Sequence, residues 1–145
     1  MEFAFGFDTF ASALDLGTGT GLLALAAARL GCRKILAVDL NLLAVKTALN
    51  NIRRNRLENK IMAIQGLAQD FVNVEADLVI ANVHYQVMKG LIASRGFLSK
   101  KGFILSGLLR SQARDIQAEL SQKPVRIIKK WELEGIWHTF FGKIT

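Results

Sequence analysis

The stretch that most constrains this chain is Ala13-Leu14-Asp15-Leu16-Gly17-Thr18-Gly19-Thr20-Gly21, which runs straight into Leu22-Leu23-Ala24-Leu25-Ala26-Ala27-Ala28. It reads as the end of a short buried strand, a glycine-rich turn and the first turns of an alanine-rich helix. Glycine lets the backbone take positive φ and lets a ligand approach the main chain without meeting a Cβ. The helix that follows aims its free N–H groups and positive dipole end at whatever occupies the turn. Strand, turn and helix in this order open many nucleotide-binding α/β folds.

The spacing narrows the ligand. Gly17-x-Gly19-x-Gly21 is not the G-x-G-x-x-G that seats a dinucleotide pyrophosphate, and Asp15 stands two residues before the first glycine, at the mouth of the loop. A carboxylate there repels a pyrophosphate and suits a cation. S-adenosylmethionine carries a sulfonium and an ammonium, so the acid favours a methyl donor with its methionine end near Asp15. Gly17, Thr18, Gly19 and Gly21 are the loop residues expected to hold it. The next landmark, Lys34-Ile35-Leu36-Ala37-Val38-Asp39, ends in an acid about 20 residues beyond the loop, where a second strand delivers a carboxylate to a ribose diol. Asp39 is expected on the ribose, with Leu40 beside it. Asp39 followed by Asn41 also fits a plain strand end with a helix cap.

A chain of 145 residues suits one domain, 1–145, with a sizeable core. Its apolar residues come in short runs between polar helices, which suits an α/β domain with a buried sheet. No apolar run nears the roughly 18 residues of a membrane span. The N-terminus has an early acid and no basic leader, so no signal peptide is expected, and the default location is cytoplasmic. Cys32 is the only cysteine, which excludes an internal disulfide, and it reads as a small packing residue. The net charge of +7 favours nucleic acid or an acidic partner by long-range attraction. Its two concentrations, Arg53-Arg54-Arg56 and Lys123 through Lys130, also fit a helix C-terminus and solvated faces.

Beyond Asp39, Asn41 caps a helix through about Asn55, with Val45, Ala48, Leu49 and Ile52 on its inner stripe. Ile61 to Ile64 makes a third strand. In an open sheet, ligands lie beyond the strand C-termini, so the turn at Gly66 and Leu67 borders the adenine. Ala76 to Asn82 is a fourth strand. Asp77 starts it, away from the ligand edge, and reads as structural. Asn82 ends it on the ligand edge, where its amide can accept from an amine or touch the methionine part of the donor; a turn-forming Asn bonded to nearby backbone fits too. His84 and Tyr85 follow, read as lining or packing residues and not as general bases. A helix from Gln86 to Phe97, a strand from Gly102 to Ser106 and a helix from Ser111 to Leu120 come next. Val125–Trp131 and Ile136–Ile144 flank Glu134-Gly135, a turn short enough to force antiparallel pairing. The expected fold is α/β: a Rossmann-like open twisted sheet, mostly parallel, ending in an antiparallel hairpin.

Asp15 through Gly21, taken with Asp39, resembles the class I S-adenosylmethionine methyltransferases over nearly the whole chain. More narrowly, Asp15 to Leu30, Ala76 to Val83, Ser106 to Gln112 and the pair Trp131-Glu132 are similar to the methyltransferases of large-subunit ribosomal protein L-eleven. That resemblance implies S-adenosyl-L-methionine as cofactor, N-methylation of protein amino groups, and a ribosomal protein as partner. The family's Asn at the end of the fourth strand falls on Asn82, which it implies as the catalytic residue that positions the amine. No metal ligand is assigned. Family members also carry an N-terminal substrate domain, then a Gly-Thr-Gly-x-His-x-Thr-Thr segment and a helix before the first strand. Here Ala4-Phe5-Gly6 is similar to the start of that segment, but Phe7 to Phe10 runs almost at once into the strand. The expectation is an N-terminally shortened chain without the His, the paired Thr or the helix. The Asp/Asn-Pro-Pro-aromatic pattern of many N-methyltransferases is not met, since Val83 and His84 follow Asn82. An RNA methyltransferase and a non-catalytic binding module are the alternatives.

Overall fold

A computed structural model describes residues 1–145. Strands β1 (Ser12–Leu16), β2 (Lys34–Asp39), β3 (Ile61–Gln65), β4 (Leu78–Ala81), β5 (Gly102–Leu108), β6 (Val125–Leu133) and β7 (Trp137–Ile144) make one sheet. Their order is β3-β2-β1-β4-β5-β7-β6. The first five run parallel, and β7 lies antiparallel between β5 and β6. The predicted mostly parallel sheet with a terminal antiparallel hairpin is what forms.

The helices are α1 (Glu2–Phe7), α2 (Leu22–Arg29), α3 (Leu42–Arg54), α4 (Ala68–Phe71), α5 (Tyr85–Ala93), α6 (Arg95–Leu98) and α7 (Arg110–Leu120). They cover both faces, which is why the central strands are apolar on both sides. All four residues of β4 are buried. On one face Ala13, Ile35 and Ala37 pack with Ala24 and Ala27 of α2 and Val45, Ala48 and Ile52 of α3. On the other, Leu14, Leu16 and Val38 pack with Met88, Leu91 and Ile92 of α5 and Ala113, Ile116 and Leu120 of α7. Asn41 caps α3 by accepting the Leu43 N–H at 2.9 Å. Burying Val45 and Ile52 along the α3 stripe contributes about 1.5–3 kcal/mol each.

The expected helix over Gln86–Phe97 is broken. Ser94 ends α5 and starts α6, donating its hydroxyl to the Leu91 carbonyl at 2.6 Å and accepting the Phe97 N–H at 3.2 Å. The serine competes with the helix backbone for those groups and so divides it. The expectation that no helix precedes the first strand is also corrected. Residues Glu2–Phe7 are helical, with Ala4 buried and Phe3 and Phe7 set edge-on to Phe141. Its cap carries no side-chain hydrogen bond and its middle holds Gly6, so tertiary packing of the aromatics, not local propensity, fixes it.

Two charged residues brace the far edge of the sheet. Asp77 accepts the Ala11 N–H at 2.8 Å and pairs with Lys101 at 3.4 Å, the structural role expected of it. Lys100 is almost wholly buried, and its ammonium donates to the carbonyls of Val72 and Val74 at 2.8 and 2.7 Å. Burial pushes its pKa below the usual lysine value.

Candidate functional site

Chain order reverses in the sheet at β1: β2 and β3 lie on one side, β4 and β5 on the other. The loops leaving the C-terminal ends of β1 and β4 therefore part company and leave a crevice, the position where open α/β sheets bind ligands. A cavity of about 290 Å³ lies there. Gly17, Asp39, Leu40, Gly66, Leu67 and Asn82, six of the predicted residues, line it together.

The glycine loop is held by main-chain bonds. The N–H groups of Gly17 and Thr18 both donate to the Val38 carbonyl, at 2.8 and 3.0 Å, tying the loop to the end of β2. Gly17, Gly19 and Gly21 all have positive φ, at 79°, 58° and 84°. Gly17 also has no room for a side chain: a Cβ would stand 2.5 Å from the Asn82 carbonyl oxygen and 2.9 Å from Val83 Cγ1. Gly21 is the N-cap of α2 and packs against Ala48. Gly19 and Gly21 support the loop without lining the cavity.

Asp39 links the loop to the next helix. One carboxylate oxygen accepts the Gly19 N–H and the other the Asn41 N–H, both at 2.9 Å. Its carbonyl accepts the Gly66 N–H at 3.0 Å, so the turn after β3 is registered on the same residue. A carboxylate has about four lone-pair sites. Two are used here, which leaves acceptor capacity facing the cavity. The strand-end reading and the ligand reading of Asp39 are therefore compatible in one geometry.

Asp15 lies beneath the loop and does not line the cavity. The strand alternation that faces Ala13 toward α2 turns Asp15 the same way. It is fully buried, one oxygen accepts the Thr18 hydroxyl at 2.6 Å, and the other oxygen has no partner. Burial pushes its pKa up to about 6; the Thr18 hydroxyl and the Ala24 N–H at the head of α2 oppose that rise, and the charge of Asp39 adds to it. Thr18 is thus a lid on the acid, itself buried.

Asn82 follows β4, its N–H donating to the Leu16 carbonyl at 3.1 Å, which sets the β4 exit beside the β1 exit. Its exposed side chain lies against Gly107, where a Cβ would collide with the amide oxygen. Asn82 also borders a second cavity, of about 550 Å³, on the side of β5 and β7. His84 lines the first cavity and caps α5, its Nδ1 accepting the Gln86 N–H at 3.4 Å. The reading of His84 as a possible lining residue agrees with this position. Val38, Val83 and Val87 add to the apolar wall and were not foreseen.

The residues fit an adenosyl group on two counts: the loop backbone at Gly17 has no room for a Cβ, and Asp39, which lines the cavity, retains free acceptor sites.

The family model described as ribosomal protein L11 methyltransferase (PrmA) matches residues 7–145. Curated relatives with that description include a protein of Desulforamulus reducens, 35% identical over 131 residues, covering 89% of this chain and 42% of that protein. Another, from Listeria innocua, is 36% identical over 133 residues, covering 90% of this chain and 42% of that protein. The chain thus spans less than half the length of these relatives. Among solved structures, a ribosomal protein L11 methylase from Lactobacillus delbrueckii subsp. bulgaricus superposes with a TM-score of 0.81 at 22% identity, covering 99% of this chain and 75% of that one. M. capricolum TrmK, solved with S-adenosyl-homocysteine, gives 0.81 at 14% identity, over 99% of this chain and 66% of that one. At such identities these two likenesses speak for the fold alone.

Proposed function

The chain belongs to the ribosomal protein L11 methyltransferase family, and from that premise we propose that it binds S-adenosyl-L-methionine and transfers its methyl group to a protein amine. The observation that carries this reading is Asp39: a carboxylate oriented by two loop N–H groups, with spare lone pairs aimed into the cavity, is built to hold a ribose diol. Leu40 and Leu67 flank the adenine, and Asp15 with Thr18 supports the methionine end from below. When bound, S-adenosylmethionine supplies an electrophilic methyl on a sulfonium that is already an excellent leaving group. What remains for the chain is to orient and desolvate. Asn82, exposed between the two cavities, accepts from the incoming neutral amine and aims its lone pair across the shared wall. Val38, Val83 and Val87 keep water from the reacting line. The acceptor we assign is a ribosomal protein, and the cell compartment is then the cytoplasm.

Calorimetric titration with S-adenosylmethionine and S-adenosylhomocysteine, with NAD as control, tests this. Selective binding of the two sulfur compounds is expected. Asp39→Ala should weaken it roughly hundredfold, since hydrogen bonds to a charged group contribute about 1.5–3 kcal/mol each. Equal affinity in the variant would remove the ribose assignment; tighter binding of NAD would remove the donor.

A further inference from the structure

We infer that the cleft between α7 and the β6–β7 hairpin is a binding surface for single-stranded RNA, with Arg110, Arg114 and Lys130 on phosphates and Trp131 against a base. This goes beyond the methyl-transfer reading and lies outside the donor cavity. The cleft has a volume of about 370 Å³. Arg110 and Arg114 reach it from the first turns of α7, and Lys130 reaches it from β6. Lys130 is paired with buried Phe140, so it takes the α7 face of the hairpin, where it donates to Gln117 at 3.2 Å.

No contact within the chain accounts for this grouping. Like charges four apart on a helix repel, and cations at a helix N-terminus oppose its dipole. The acids of α7 are engaged elsewhere: Asp115 and Glu119 turn to Lys89 of α5, each at 3.3 Å. The carboxylate in the cleft, Glu132, reaches Arg110 at 3.8 Å in an exposed pair that contributes little. Arg114 enters no ion pair, and Lys130 meets only a neutral amide. Cations along an edge strand also deter strand-to-strand aggregation. That accounts for Lys129 and Lys130 on β6, but not for two arginines on a helix. On the cleft's floor, His138 Nε2 is buried without a hydrogen-bond partner, a polar nitrogen with bonding capacity to spare.

Phosphate is the anion that suits guanidinium groups, which bind it through paired N–H donors. The aromatic ring decides between a nucleic acid and an acidic protein. Trp131 and Trp137, the only tryptophans in the chain, both lie on the hairpin. Trp131 lines the cleft and is 36% exposed. An indole beside phosphate-binding cations offers a stacking face to an unpaired base, which an acidic side chain does not use. In a duplex the bases stack on one another and cannot reach that face. RNA is the source to which we commit because the acceptor assigned above is a ribosomal protein; that choice alone rests on the proposed function. Trp131 also borders the second cavity beside Asn82, so RNA held here approaches the edge where transfer is proposed.

The test is fluorescence anisotropy of a dye-labelled single-stranded RNA oligonucleotide titrated with the full chain. Single-stranded DNA of the same sequence and polyglutamate serve as competitors. Saturable RNA binding is expected, and with three phosphate contacts it should fall roughly twentyfold between about 50 and 200 mM salt. Arg114→Gln should lower the slope of log affinity against log salt by about 0.7. Trp131→Ala should weaken binding by about five- to hundredfold and leave that slope unchanged, the mark of a lost stack, whereas Trp131→Phe should recover most of it. Arg114 is exposed, so its variant should bind the donor in calorimetry as the native chain does. No RNA binding at the lowest salt, tighter binding of DNA or polyglutamate, or native affinity and slope in Arg114→Gln overturns the inference. RNA binding without donor binding leaves this surface standing and removes the methyl-donor reading; the reverse does the opposite.

Discussion

The two sides of Asn82 are built differently. On the side proposed for the donor, position is set by main chain. The Gly17 and Thr18 N–H groups are tied to Val38, the Gly19 N–H to Asp39, and the Gly66 N–H to the Asp39 carbonyl. Side chains there are small or absent because the backbone must come close. On the hairpin side, the sheet supplies only a platform, and large exposed side chains present the chemistry. A ligand of fixed structure is best met by rigid backbone, whereas exposed side chains on a sheet can change without moving the fold.

That contrast predicts a ranking of mutational effects. The largest belongs to Gly17→Ala. Positive φ and a Cβ 2.5 Å from the Asn82 carbonyl oxygen leave it no place. Donor binding should drop beyond calorimetric detection, with a loss of roughly 2–3 kcal/mol in stability measured by denaturant unfolding. Retained donor affinity would mean that the loop is more yielding than its hydrogen bonds indicate.

Asp15 gives the next effect, through pH. Its folded pKa of about 6 lies above the ordinary 3.8. The folded state therefore favours the protonated carboxyl. That contribution is full below the ordinary value and is lost as pH rises through about 6, amounting to roughly 2–3 kcal/mol at most. Thermal unfolding of Asp15→Asn should lack the decline between about pH 4 and pH 7 that the native chain shows. Donor affinity should move the other way, because a cationic donor favours the ionised acid. It should rise about tenfold over the same window in the native chain and stay flat in the variant. Parallel pH profiles in the two proteins would remove Asp15 from the donor site.

The smallest effect tests the hairpin side. Leu133→Ser removes an exposed side chain from the platform. It should alter stability by no more than about 0.5 kcal/mol and leave donor affinity unchanged in the same two assays. A large drop in either would show that the hairpin is part of the donor framework after all.

The donor side was the more legible in sequence because its signals are local. Three alternate glycines after an apolar run, and an acid at the next strand end, are each read within one turn of chain. Asn82 was found because a polar residue ending an all-apolar strand needs a reason. The sequence reading put Asp15 at the loop mouth, but the alternation of β1 turns it under Thr18, and only the packing of α2 shows that face to be closed. Helix α1 was missed because its stability comes from Phe141, distant in sequence. The tryptophan pair was equally hidden. It depends on hairpin register, which the three residues Glu134 to Ile136 set by pairing Leu133 with Trp137, where the expected two-residue turn Glu134-Gly135 would pair other residues.

Lys100 has a practical consequence. Its amine, enclosed and bonded to two carbonyls, can meet an acylating reagent only when the segment around Val72 opens. The other lysines react from the folded surface. Timed labelling followed by peptide mass spectrometry would therefore use Lys100 as a clock for opening of this region, read in the same sample that reports surface reactivity. It is also the most deeply buried lysine in the chain.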